Sequence, residues 1–129
     1  MNEPCPFCDV DPDSVWIETE VAVAIKDVFP VTEGHTLVVP RRHVHSIYDL
    51  NNSEQAELWD LVARVRDSLN EQERPDGFTV GVNDGTAAGQ TVEHAHVHVI
   101  PRRRGDVEDP RGGIRWVIPD KACYWEGPT

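Results

Sequence analysis

The stretch Gly89-Gln90-Thr91-Val92-Glu93-His94-Ala95-His96-Val97-His98-Val99-Ile100-Pro101 constrains this chain more than any other. Side chains of an extended segment alternate between two faces, so a strand here predicts His94, His96 and His98 on one face and Ala95, Val97 and Val99 on the other. The small, β-branched face suits a sheet packed on a core. Three of the six histidines fall within five residues, a concentration that an ordinary polar strand face does not need. Either alternate histidines ligate a metal, or one acts as nucleophile or proton carrier while its neighbours orient it. Upstream, Gly81-Val82-Asn83-Asp84-Gly85 and Ala88-Gly89-Gln90-Thr91 combine small residues, which let backbone approach a ligand, with amide and hydroxyl donors suited to phosphate oxygens. Imidazoles beside a phosphate cradle point to phosphoryl or nucleotidyl transfer.

The rest of the chain reads as the frame for that strand. With 129 residues it is long enough for one core and too short for two. Val21 to Asp27 reads as a strand entering the core, closed by Asp27, an acceptor where ribose hydroxyls could meet it or simply a turn residue. His35-Thr36-Leu37-Val38-Val39-Pro40 is a second strand stopped by proline, and Phe78 to Val82 is a third that leads to Asn83. Between them lies the clearest helix, Asn51 to Glu73. Asn51, Asn52 or Ser53 caps it, Glu54 and Glu57 suit its first turns, and Leu58, Leu61, Val62, Val65 and Leu69 form an apolar stripe. The fold class is therefore α+β, a mainly antiparallel sheet with one long helix and a short one packed on it. Beyond Pro101, residues Arg102 to Gly113 read as a surface loop, and Ile114 to Pro119 as an edge strand or partner-facing segment. Trp116, Tyr124 and Trp125 either cover a base or pack on the body or across a dimer.

Charge and cysteine usage narrow the function. A net charge of -11 disfavours broad binding to extended nucleic acid, which needs a basic surface, but does not exclude a small nucleotide. Positive charge is gathered in Arg41-Arg42 and Arg102-Arg103-Arg104, which are either a solvated face or substrate contacts. No stretch approaches the ~20 apolar residues of a membrane helix, and no basic-then-apolar leader opens the chain, so a cytoplasmic protein without membrane partners is expected. Of three cysteines, Cys5 and Cys8 form a Cys-x-x-Cys pair. An odd count without a leader argues for a metal site or reduced thiols rather than a disulfide framework. Two thiolates supply half a tetrahedral site, with His43, His45 and His94 as candidates for the remainder.

The run from Gln90 to Ile100 resembles the signature of the histidine triad (HIT) nucleotide hydrolases and transferases. Its flanks, Ala88-Gly89-Gln90-Thr91 and Ile100-Pro101-Arg102, resemble the fragile-histidine-triad branch, which cleaves dinucleoside polyphosphates, and Gly34 to Pro40 also resembles the family pattern. The resemblance covers about residues 5–102 of a single HIT-like domain, with 103–129 as a C-terminal loop and tail. It implies His96 as the nucleophile at the α-phosphate, forming a nucleotidyl-histidine intermediate. It further implies that His98 and His35 orient the site and share protons, that Gln90 and Thr91 hold phosphate oxygens, and that Asn83 lies beside phosphate or ribose. Asp27 would bind ribose, with Ile25 and Val28 beside the base. In zinc-containing bacterial relatives the ligands correspond to Cys5, Cys8, His43 and His94, which implies a closed, structural zinc and no cofactor required for catalysis. The implied partners are a nucleotide substrate and a second copy, in a homodimer with sheets side by side. The Cys-x-x-Cys element resembles bacterial Hint-type proteins, so hydrolysis of nucleoside phosphoramidates or aminoacyl-adenylates is the alternative activity. A non-catalytic nucleotide-binding module is the alternative from another class.

Overall fold

The structure, a computed structural model, describes residues 5–127. Five strands form one sheet: β1 (Val15–Glu18), β2 (Ala22–Lys26), β3 (Thr36–Pro40), β4 (Gly77–Gly81) and β5 (Val97–Arg102), in the spatial order β1-β2-β3-β5-β4. All neighbours run antiparallel. Between β3 and β4 the chain forms α1 (Asn52–Glu73). Asn51 caps it in a reciprocal box: its side chain accepts from the Glu54 N–H at 2.8 Å, and the Glu54 carboxylate accepts from the Asn51 N–H at 2.9 Å. Arg74 ends the helix in the left-handed region at φ 48°.

The apolar stripe of α1, Leu58, Leu61, Val62, Val65 and Leu69, is buried against Ala22, Ala24, Val38, Val97 and Val99 of the sheet. Each such side chain contributes about 1.5–3 kcal/mol on leaving water, which makes this layer the main source of stability. The other sheet face carries Val23, Ile25, Leu37 and Val39, partly covered by Phe7 and Val10 of the N-terminal segment and by Val15. Register sets the site on that second face. Because Val97 and Val99 point to α1, His98 points away from it, directly opposite Leu37 on β3 and Gly81 on β4.

Three expectations need adjustment. The histidine-bearing strand begins only at Val97, so His94 and His96 precede the ladder. They are drawn out of it because the Ala95 N–H bonds to the Val44 carbonyl at 2.8 Å, beyond the end of β3. β1 is a separate short strand, with a bulge in register between Val15 and Ile17. Ile114 to Pro119 is no edge strand: Gly113–Val117 forms a 3-10 turn followed by α2 (Pro119–Ala122), entered through Gly112 and Gly113 at φ 91° and 47°. α2 packs chiefly on that turn. Among the described residues no helix is long and apolar enough to cross a membrane.

Candidate active site and metal centre

Backbone partners fix the proton position on three imidazoles, and one of these fixes it on a fourth. His96 Nδ1 lies 2.9 Å from the carbonyl oxygen of His94. A carbonyl only accepts, so Nδ1 carries the proton and Nε2 keeps its lone pair. His94 Nε2 lies 2.8 Å from the carbonyl of Pro40, so Nε2 donates there and Nδ1 is the free base. His35 Nδ1 instead accepts from the Val31 N–H at 3.1 Å. Its Nε2 therefore carries the proton and donates to His98 Nδ1 at 2.9 Å, leaving His98 with its own proton on Nε2. Asp27 Oδ2 lies 3.4 Å from the same His35 nitrogen.

Burial favours the neutral form of His35, His94 and His98. It lowers the pKa of His35 and of His94, against opposing pulls from Asp27 and from the Pro40 carbonyl. His98 falls furthest, to about 4, through burial first and then the neighbouring His96 and His35. The His96 and His98 ring centroids are 5.1 Å apart, and Phe7 presses its ring against His96 at 5.0 Å and against His94 at 5.9 Å. The result is one imidazole with an unprotonated Nε2 next to another whose Nε2 is a donor.

The free Nδ1 of His94 faces a second cluster. It lies 3.3 Å from Cys5 Sγ, 3.5 Å from Cys8 Sγ and 3.1 Å from His43 Nδ1, while Cys8 Sγ is 3.0 Å from His43 Nδ1. The four donor atoms lie within 4.8 Å of one another and could hold a metal ion. A turn closed by the Cys8 N–H on the Cys5 carbonyl at 3.2 Å aims both sulfurs the same way. Desolvation, then the adjacent Cys5 sulfur, raises the Cys8 pKa and favours its neutral thiol, a shift that a cation between the two sulfurs would oppose. His45, the other candidate ligand, stays outside the cluster and offers its backbone carbonyl to Gln90. Asp27, His35 and His98 also converge, but their nitrogens bond to one another.

The remaining expected residues are placed as follows. Gln90 is buried, with Oε1 accepting from the Gly85 N–H at 2.8 Å and Nε2 donating to the carbonyls of His45 and Val92 at 2.8 and 3.0 Å. Its amide donors are thus committed to backbone, and it shapes the loop that leads to the histidines. Thr91 and Asn83 are exposed on that loop. Asp27 Oδ1 accepts from the Phe29 N–H at 2.9 Å. Ile25 is buried in the sheet face below His98, whereas Val28 is 79% exposed. Four arginines of the two clusters pair with carboxylates of the chain: Arg41 with Glu18, Arg42 with Glu54, Arg102 with Asp106, and Arg103 with Glu73.

Sequence reasoning missed Phe7, although an aromatic between two metal-type cysteines was the available signal. It also missed the carbonyl of Pro40 and the N–H of Val31, which no residue identity announces. Phe7 additionally borders a cavity of about 550 Å³ lined by Val10, Val15, Trp16, Val23 and Arg41.

Residues 9–105 match the HIT domain family. The chain is 40% identical over 95 residues to the bis(5'-adenosyl)-triphosphatase of Dictyostelium discoideum, covering 74% of this chain and 64% of that one. It is 36% identical over 95 residues to the asymmetrical bis(5'-nucleosyl)-tetraphosphatase of Schizosaccharomyces pombe, covering 74% of this chain and 52% of the relative. The chain thus spans about half to two thirds of the length of these curated relatives. A crystal structure of a member of the HIT family from Bacillus subtilis superposes with a TM-score of 0.75 at 31% identity, covering 81% of this chain and 77% of that one. Cys5 and Cys8 lie before the matched region, and the tail from Asp106 lies after it.

Proposed function

The chain belongs to the HIT domain family, and from that premise we propose that it is a hydrolase cleaving dinucleoside polyphosphates at the α-phosphate through a nucleotidyl-histidine intermediate on His96. The observation that carries this reading is the 2.9 Å bond from His96 Nδ1 to the His94 carbonyl, which leaves Nε2 as an unprotonated nucleophile. In the first step the Nε2 lone pair forms a bond to the α-phosphorus, and the bond from phosphorus to the bridging oxygen breaks. The polyphosphate leaves as an anion and needs no proton from the enzyme. The modified ring carries a positive charge, and its Nδ1–H still donates to the His94 carbonyl. In the second step water attacks phosphorus and the phosphorus–nitrogen bond breaks with its electron pair returning to Nε2. The attacking water's proton leaves with the nucleoside monophosphate and passes to solvent, and His96 returns in its starting tautomer.

His98 supports both steps without changing charge. Its Nε2–H, fixed by the His35 bond to Nδ1, stands beside His96 as a donor to the α-phosphate oxygen that gathers charge. Thr91 and Asn83 supply further donors from the rim, on a loop that Gln90 holds in shape, and Asp27 meets the ribose. The base lies on the apolar face formed by Ile25, Phe7 and Val10, with Val28 at its edge. Supporting the phosphoanhydride substrate are the names of the two curated relatives, both dinucleoside polyphosphate hydrolases.

Cys5, Cys8, His43 and His94 would hold a structural zinc. A tetrahedral zinc with sulfur and nitrogen ligands requires donor separations of roughly 3.3–3.8 Å, close to the separations of 3.0–3.5 Å found here. Four protein ligands leave no open position, so this ion would hold the N-terminal segment and His94 in place rather than touch substrate. The proposal includes one domain, a cytoplasmic location and a homodimer with sheets side by side; for the last, the support is that the sheet has edge strands, β1 and β4, to pair.

The test is chromatography of nucleotides released from diadenosine triphosphate, diadenosine tetraphosphate and adenosine phosphoramidate by wild type and by His96→Ala. Turnover of the diadenosine compounds that His96→Ala abolishes is the expected result. Faster turnover of the phosphoramidate would move the chain to the alternative activity. Nucleotide binding without any turnover by folded, zinc-loaded wild type would sink the hydrolase reading in favour of a binding module.

A further inference from the structure

We infer that Ile114, in the tail beyond the family domain, builds a second wall of the substrate cleft and selects leaving groups that end in a nucleoside base. The inference rests on the hydrolase reading for its substrate and on β4 for its geometry. Phe78 packs on the α1-side core, and the Arg66 guanidinium of α1 lies 5.1 Å over its ring. Thr79 and Gly81 therefore belong to the opposite face. Thr79 confirms this, accepting at 3.1 Å from Arg102, which shares its β5 face with His98. Gly81 is the direct partner of His98, so a Cβ on Gly81 would point up beside the His98 ring. The nearest atom it would meet is Ile114 Cδ1, at 4.0 Å. Directly opposed Cβ atoms lie about 4.5–5.5 Å apart, which brings the Ile114 methyl within about 10 Å of the His98 Cβ.

The tail presents this side chain from a folded clasp. Gly112, at φ 91°, fits where a Cβ would sit 3.2 Å from the Ala122 carbonyl and 3.3 Å from Trp125. Trp116 Nε1 donates to the Arg111 carbonyl at 2.9 Å. Arg115 donates to the Lys121 carbonyl at 2.6 Å and stacks on Tyr124, while Arg111 pairs with Asp109 and stacks on Trp125. Both guanidinium groups are thereby occupied within the tail. What the clasp offers the cleft is hydrocarbon, with Ile114 66% exposed. Such a wall suits a flat base and not a phosphate.

The His96–His98 pair is accordingly flanked by Phe7 on one side and Ile114 on the other, with the bare Gly81 as open floor between. A molecule carrying a base at each end of a polyphosphate reaches both walls. A mononucleotide reaches only one.

The experiment is calorimetric binding of AMP and of a methylene-bridged, uncleavable diadenosine triphosphate to zinc-loaded wild type, Ile114→Ser and Gly81→Leu. Ile114 is largely exposed and a Cβ on Gly81 meets the Ile114 methyl at ordinary contact distance, and unchanged thermal midpoints check that both variants keep the fold. Ile114→Ser should weaken the dinucleotide about fivefold by removing apolar contact, and Gly81→Leu should weaken it more than tenfold by filling the floor, with AMP affinity unchanged in both. Equal weakening of AMP and dinucleotide, or no change in either, overturns the inference. So does a change confined to sedimentation behaviour, which would assign Ile114 to contact with a second copy. These binding outcomes do not depend on turnover, so failure of the hydrolase reading remains separately visible in the cleavage assay.

Discussion

Acidification should unfold this protein in part through His98. Its imidazole falls to about 4 in the folded chain, because burial and the neighbouring His96 and His35 disfavour a charge there. The unfolded value is about 6.5. Between these values the unfolded chain binds a proton that the folded chain refuses, so this contribution is complete above pH 6.5 and is lost as pH falls toward 4. At pH 5 the undamped difference between the two titrations is about 2 kcal/mol. His98 is only half-buried, and solvent screening reduces this to about 1 kcal/mol. Urea unfolding of zinc-loaded wild type and of His98→Gln, each at pH 7 and pH 5, isolates the effect by difference. Wild type should lose about 1 kcal/mol more than the variant, a midpoint shift of about 0.5 M at a typical denaturant slope. Equal losses, or a larger loss in the variant, would refute the claim that His98 is held neutral by its surroundings.

Gln90→Ala should lower stability by about 2–3 kcal/mol, read as a fall in thermal midpoint, because it strips partners from the Gly85 N–H and from the His45 and Val92 carbonyls. Asn51→Ala removes half of the reciprocal box at the start of α1 and should cost about 1 kcal/mol in urea unfolding, with turnover intact. Metal analysis of purified protein should give one zinc per chain in wild type and in His45→Ala, and markedly less in Cys8→Ser and His43→Ala.

Much of the frame was legible because each element's pattern agrees with its packing. The helix could be bounded at Asn51 and Glu73 since capping chemistry and the apolar stripe are both local. β2 and β3 announced themselves as short apolar runs with a buried role on both faces. β1 did not, because four residues with a bulged register carry no clean alternation. The tail misled for a related reason. Ile114 to Pro119 has strand-like composition, but Gly112 and Gly113 turn the chain through left-handed conformations that composition does not register. The arginine clusters left two readings open, since charge density in sequence says nothing of the carboxylates that fold against it, as Asp106 does on Arg102.

The candidate site divides along the same line. That His96 and His98 lie side by side was readable from their spacing, but the proton position on each ring was not, because identical residues are distinguished by groups from remote segments. The Pro40 carbonyl leaves the His94 base facing the cysteines, whereas the Val31 N–H makes His35 a donor toward His98. His94 then joins two motifs that the sequence keeps 86 and 89 residues apart. Its ring faces Cys5 and Cys8, and its carbonyl holds the proton of His96. Any disturbance of the cysteine cluster that rotates the His94 peptide must also release the His96 tautomer. The cluster and the His96 ring therefore form one mechanical unit, so a metal bound by Cys5, Cys8, His43 and His94 would act on His96 through the His94 peptide.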